Sequence, residues 1–164
     1  MKAWLGLGSN LQDPVAQLKD ALGRLGVAKG IRILKTSCLY RTPPWGDEQQ
    51  DDFINAVVQI ESSLKPLALL RVMQSIENAM GRQRSGYRWG PRLIDIDLLL
   101  YGDQQLQSEE LELPHPRMHE RAFVLMPLCE LDATVEIPGH GAAGSLLKQL
   151  DCSGIFCLNE SERN

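Results

Sequence analysis

The chain has 164 residues, the size of one domain, and should bury roughly two thirds of the surface its unfolded form exposes. Hydrophobic residues at 43% and charged residues at 23% exclude a fibrous architecture and long disorder. A net charge of −4 excludes a general attraction to nucleic acid or to an anionic membrane, so any anion site must be a local concentration of arginine.

Ala3 to Gly8 reads as a short buried strand, and Asp13-Pro14 supplies an N-cap followed by the favoured first-turn proline. Val15, Leu18, Leu22 and Leu25 then recur at helical spacing, with Gly26 placed to end the helix. Ile31 to Arg41 is rich in β-branched and apolar residues and stops at Thr42-Pro43-Pro44, which cannot continue a ladder. Phe53 to Ile60 alternates, with Phe53, Asn55 and Val57 on one face. Pro66 opens a second helix with its stripe at Leu67, Leu70, Met73, Ile76 and Met80, and Gly81 terminates it. Leu93 to Tyr101 is a fourth strand. The order β-α-β-β-α-β predicts an α+β fold, the ferredoxin-like split βαβ core: an antiparallel sheet with both helices on one face and the other free for a ligand or an extra layer. The last third offers a short strand at 111–113, helical spacing over 119–131 interrupted by Pro127, and a small helix at 144–150. These extend the same domain, expected to span 1–164. Cys38, Cys129, Cys152 and Cys157 match no zinc or thioredoxin-like spacing, and MKAWLGLGSN has neither a signal-peptide core nor a membrane span. A cytoplasmic monomer is the expectation.

Two carboxylates, Asp95 and Asp97, interrupt the fourth strand. Residues two apart on a strand share a face, so both acids stand together while Ile94, Ile96 and Leu98 line the other. Just upstream, GRQRSGYRWGPR carries Arg82, Arg84, Arg88 and Arg92 in an irregular segment. Arginine forks grip phosphate oxygens, and magnesium is commonly held by one or two carboxylates, with phosphate and water completing its shell. Together they fit a Mg–nucleoside triphosphate. GLGSN lacks the ending of a phosphate loop and reads as a turn into the helix, and His119-Glu120 lacks the second histidine of a zincin. His115 and His119 are four apart, but Pro116 intervenes, so a His115 hydrogen bond to phosphate is preferred to zinc. Trp45, Phe53 and Phe123, with the Asn55 amide, form a set able to sandwich and edge-read a flat heterocycle.

On these residues the chain resembles the 6-hydroxymethyl-7,8-dihydropterin pyrophosphokinase family of folate biosynthesis. RWGPRLIDIDLL (88–99) looks like the family signature, and GLGSNL, YRTPPWG, FINAVV and LPHPRMHERAFVLMPL are similar to family stretches, from about Met1 to about Leu131. The resemblance implies transfer of the terminal diphosphate of ATP to the pterin hydroxymethyl group, releasing AMP. It implies that Asp95 and Asp97 hold two Mg²⁺ ions and that Arg82, Arg92, His115 and Arg121 contact the phosphates. Gln74, Glu77, Trp89 and Leu98 would border the ATP site, with Arg84 in a mobile loop. Thr42, Pro43 and Trp45 would contribute to the pterin site partly through backbone, Asn55 would hydrogen-bond the pterin, and Phe53 and Phe123 would stack on it. The family often carries Tyr where this chain has Phe53, which keeps the ring and loses the hydroxyl. As chemistry, Arg82, Arg92 and Asp97 are the catalytic candidates, with Asp97 or a Mg²⁺-acidified alcohol serving for the hydroxyl proton. The competing reading is a non-catalytic ferredoxin-like module binding a regulatory ligand or RNA; the acidic charge and the lack of an RNP-type run count against RNA.

Overall fold

The computed structural model describes residues 1–44, 50–81 and 93–158. The first two thirds comprise β1 (Lys2–Ser9), α1 (Pro14–Val27), β2 (Ile31–Thr36), β3 (Tyr40–Thr42), β4 (Phe53–Ser62), α2 (Pro66–Ala79) and β5 (Asp95–Tyr101). β1 pairs antiparallel with β4 on one side and with β5 on the other, while β2 and β3 occupy successive stretches of the far edge of β4. The fold is therefore mixed α and β around an antiparallel sheet.

Local chemistry explains most of these boundaries. Asp13 accepts a hydrogen bond from the Ala16 amide at 3.2 Å, and Pro14 occupies the first turn of α1. The expected stop at Gly26 moves: the helix continues through Val27, the Ala28 amide turns back to the Leu25 carbonyl, and the left-handed position falls on Gly30 (φ 86°). α2 ends as expected before Gly81, at φ 108°. The single strand expected over 31–41 is two. At the break, Ser37 donates its amide to the Val57 carbonyl and its Oγ accepts from the Val57 amide, each at 2.9 Å. A side-chain oxygen replaces a ladder carbonyl, so the chain jogs without stranding a buried polar group.

Alternation sends Ala3, Leu5, Leu7, Ile54, Ala56, Val58, Ile60, Ile96 and Leu98 to one face, where they form a core with Leu18, Leu25, Leu69 and Met73 of α1 and α2. The opposite face, expected to be open or to take an extra layer, takes both. After the hairpin of β6 (Leu106–Gln107) and β7 (Glu112–Leu113), a 3₁₀ turn at Met118–Glu120 leads into α3 (Ala122–Asp132). Val124, Leu125 and Leu128 of α3 pack with Met118 on Trp4, Val57, Leu99 and Leu100. A register slip beside Trp4 and Leu5 lets the consecutive Leu99 and Leu100 both enter this second core. The chain closes with β8 (Glu136–Ile137), β9 (Gly141–Ala142), α4 (Ala143–Leu147) and β10 (Phe156–Cys157), which adds to the edge of β3. The helix expected from residue 119 begins at Ala122, because His119 belongs to the preceding 3₁₀ turn; Pro127 is buried inside it. No helix among the described residues is long and apolar enough to cross a membrane.

Candidate active site

The part of the second face that α3 leaves uncovered is a cavity of about 280 Å³. Its floor follows from register. Tyr40, Asn55, Gly8 and Asp95 stand in one cross-strand row, and Val57, Gly6 and Asp97 in the next. Gly6 and Gly8 thus form a bare strip between the Asn55 amide and the two carboxylates. A Cβ on Gly8 would stand 2.6 Å from Asn55 Oδ1, and one on Gly6 3.4 Å from Leu99 Cδ1. This corrects the sequence reading of GLGSN as a turn into the helix, because β1 runs on through Ser9 and both glycines lie within the strand. Glycine at period two in a central strand is the signal that another group approaches the backbone closely.

Asn55 is 9% exposed and donates from Nδ2 to Thr42 Oγ1 at 2.7 Å, which fixes its amide. Thr42, Pro43 and Phe53 line the same end of the cavity, and Phe123, at the start of α3, forms its opposite wall. The Arg121 guanidinium lies 5.6 Å from the centre of the Phe123 ring, a cation–π contact. Arg117, Gln50 and Leu99 also line the cavity and were not anticipated. Arg117 was legible as a further cation four residues before Arg121, but Gln50 carried no pattern.

Asp95 and Asp97 border this cavity, and Asp97 borders a second one of about 290 Å³ along the outer edge of β5. Leu70, Ile96, Leu98 and Leu111 give the second cavity its apolar lining, and Ser108, Glu109, Glu110, Glu112 and His115 its polar lining. His115 accepts the Arg117 amide on Nδ1 at 3.2 Å, so the neutral ring carries its proton on Nε2. Burial first, and then the Arg121 cation, push its pKa down to about 4. Such an imidazole is a neutral donor beside two arginines.

The structure therefore brings together Thr42, Pro43, Phe53, Asn55, Asp95, Asp97, Arg121 and Phe123 around the first cavity, and Asp97, Leu98 and His115 around the second. Gln74 and Glu77 are absent from both linings. Gln74 accepts from Arg71 at 3.4 Å, while Glu77, 5% exposed, accepts the Ile96 amide at 2.9 Å and so ties α2 to the free edge of β5. Trp45, Arg82, Arg84, Trp89 and Arg92 lie outside the described residues. Among the described residues no group of three or more His, Cys, Asp or Glu is arranged to hold a metal. A carboxylate pair on one strand face is instead the donor set that suits magnesium, whose remaining positions go to phosphate and water.

The model of the 7,8-dihydro-6-hydroxymethylpterin-pyrophosphokinase family matches residues 4–133. The chain is 51% identical over 154 residues to the 2-amino-4-hydroxy-6-hydroxymethyldihydropteridine pyrophosphokinase of Methylorubrum extorquens, covering 94% of this chain and 96% of that protein. It is 43% identical over 157 residues to the Haemophilus influenzae protein of the same name, covering 96% and 98%. Among solved structures, wild-type Plasmodium falciparum HPPK-DHPS with SDX-DHP superposes at a TM-score of 0.67 with 18% identity, covering 90% of this chain and 43% of that one. The same protein with pteroate gives 0.70 with 16% identity, covering 90% and 42%. The chain thus spans less than half the length of those Plasmodium chains, and the likeness to them is one of fold. Family match, identity and coverage agree: this chain belongs to the 6-hydroxymethyl-7,8-dihydropterin pyrophosphokinase family.

Proposed function

We infer that this chain transfers the terminal diphosphate of ATP to the hydroxymethyl oxygen of 6-hydroxymethyl-7,8-dihydropterin, in a Mg²⁺-dependent reaction that yields the pterin diphosphate ester and AMP. The observation that carries this reading is Asp97, which borders both cavities. A slot suited to a flat heterocycle and a second pocket suited to a nucleotide meet at a carboxylate pair. Asn55 and Asp95 are separated by the single glycine strand β1, and two strand spacings make roughly 10 Å. A bicyclic ring whose amide edge pairs with Asn55 therefore reaches the carboxylates with its substituent. Phe53 and Phe123 supply the faces that stack on it.

The nucleotide reading rests on β5. Its Ile96 amide points away from β1 to Glu77, and Leu98, two residues on, lines the second cavity, where we propose that its peptide group faces the nucleotide. A purine edge presenting a donor beside an acceptor matches that peptide group. Asp95 and Asp97 are the residues that would hold Mg²⁺, which supplies charge neutralisation on the phosphate oxygens when bound. The pterin hydroxyl oxygen attacks the β-phosphorus in line, giving up its proton to Asp97 or to solvent and forming the new O–P bond as the bond to the α-phosphate oxygen breaks and AMP leaves. Catalysis of this kind is positioning plus electrostatic stabilisation. His115 Nε2–H and Arg121 face the developing charge, and by sequence position Arg82, Arg92 and, in a closing role, Arg84 join them. We further propose that the chain is a cytoplasmic monomer, and that the sheet order β2/β3-β4-β1-β5 with α1 and α2 on one face is the ferredoxin-like split βαβ arrangement.

The test is direct. Purified protein incubated with MgATP and 6-hydroxymethyl-7,8-dihydropterin should form AMP and pterin diphosphate in equal amounts, and neither without the pterin. A folded protein that binds both ligands and forms no AMP would contradict the enzyme reading.

A further inference from the structure

The heterocycle slot has two walls on different elements, and something must set their separation. One wall is Thr42 and Asn55 on β3 and β4; the other is Phe123 on α3. β3 is only three residues long, follows the break at Ser37 and pairs with β4 on one side and the two-residue β10 on the other, so its ladder is short. Glu130, the ninth residue of α3, reaches across to this segment. Its Oε1 and Oε2 accept the Cys38 amide at 3.1 and 3.0 Å, and its Oε1 accepts the Tyr40 hydroxyl at 2.6 Å. Tyr40 is the direct cross-strand partner of Asn55, and Thr42, two residues along the same face of β3, receives the Asn55 amide.

Helix geometry connects the two ends of α3. Phe123 and Glu130 are seven positions apart, close to two full turns, so they share a helix face about 10 Å apart along the axis. A carboxylate fixed on β3 at one end therefore fixes where the aromatic wall stands at the other. We propose that Glu130 is a positioning residue for the pterin: by clamping α3 to β3 it sets the width of the slot and holds Thr42 where it orients the Asn55 amide. The second cavity shares no lining residue with this clamp, so the nucleotide should not sense it. Burial and the Glu130 carboxylate both push the Tyr40 phenol well above its ordinary range, in keeping with a hydroxyl that stays a donor.

The inference rests on the pterin reading of the first cavity, and the experiment separates the two. Wild type, Glu130→Ala, Glu130→Gln and Tyr40→Phe are titrated with a non-hydrolysable MgATP analogue, then with the pterin at saturating analogue. Glu130→Ala should weaken the pterin by roughly tenfold or more, because the slot is no longer held preorganised for the ring, while the analogue stays within about twofold. Glu130→Gln retains an oxygen acceptor and should stay near wild type, with Tyr40→Phe between the two. Combined with Asn55→Ala, the Glu130→Ala loss should largely disappear, because its effect acts through Asn55 and its wall. Equal weakening of both ligands, or a lower melting temperature with wild-type pterin affinity, would overturn the proposal. Should Glu130→Ala fail to fold, Tyr40→Phe decides on the same criteria. A wild type that binds the analogue and not the pterin would instead contradict the reading of the slot.

Discussion

At the scale of single residues, the site depends on atoms that are missing as much as on those present. Gly8 is the sharpest case. A methyl group there meets Asn55 Oδ1 at 2.6 Å, and Asn55 cannot swing aside because Thr42 holds its amide. Gly8→Ala should therefore weaken pterin binding by roughly tenfold and cost about 1–3 kcal/mol of stability through overpacking. Gly6→Ala, whose nearest neighbour is the flexible Leu99 side chain at 3.4 Å, should do less. Ligand titration and urea unfolding of both variants check this. His115 gives a pH signature. Its folded pKa, about 4, lies below the ordinary 6.5, chiefly through burial and secondarily through Arg121. Its neutral form is thus favoured in the fold, and the unfolded chain binds the extra proton. Stability from this group is complete above about pH 6.5 and is lost as pH falls towards 4. The ring is partly solvated, so the loss should be on the order of 1 kcal/mol. Urea unfolding at pH 7 and pH 4.5 should show a smaller drop for His115→Gln than for wild type.

At the scale of elements, legibility tracked the length of the repeating pattern. α1, α2, β1, β4 and β5 each carry a repeating apolar pattern over at least two periods, and the N-cap Asp13 with the first-turn prolines Pro14 and Pro66 marks where the helices start. The break between β2 and β3 was invisible because it depends on one hydroxyl, Ser37 Oγ, finding the Val57 amide twenty residues away. Of the two-residue strands in the last third only β7 was anticipated, within the expected strand at 111–113; the others are too short for a period, and that region is held by contacts such as the His119–His140 ring stack at 3.7 Å. The carboxylate pair and the Asn55 face were legible because period two on a strand fixes which side chains stand together. Glu77 shows the limit. The family resemblance implied that it borders the ATP site, and the structure turns it inward to the Ile96 amide. Removing the acceptor in Glu77→Ala strands that buried donor and should cost about 1–3 kcal/mol. Because the same strand carries Asp95 and Asp97, the variant should also lose turnover in excess of any change in nucleotide KM. Unfolding curves and steady-state kinetics on one preparation test both halves.

At the scale of the whole molecule, the sheet divides labour between its faces. One face is closed by α1 and α2 over a continuous apolar core. The other is closed by α3 over Val57 and Leu99 and left open beyond them, where the glycine floor lies. Rigidity on one side thus supports a bare, preorganised surface on the other. The two cavities are not independent, since β5 passes between them and presents Asp97 to both. The central claim is that Asp95 and Asp97 join nucleotide and pterin sites through Mg²⁺. The most direct measurement is titration of a non-hydrolysable ATP analogue into wild type and Asp97→Asn, each with and without Mg²⁺, alongside AMP formation from MgATP and the pterin. The account predicts Mg²⁺-enhanced binding in wild type that is largely lost in Asp97→Asn, with turnover lower by roughly 10²-fold or more. Equal Mg²⁺ enhancement and wild-type turnover in the two proteins would contradict it.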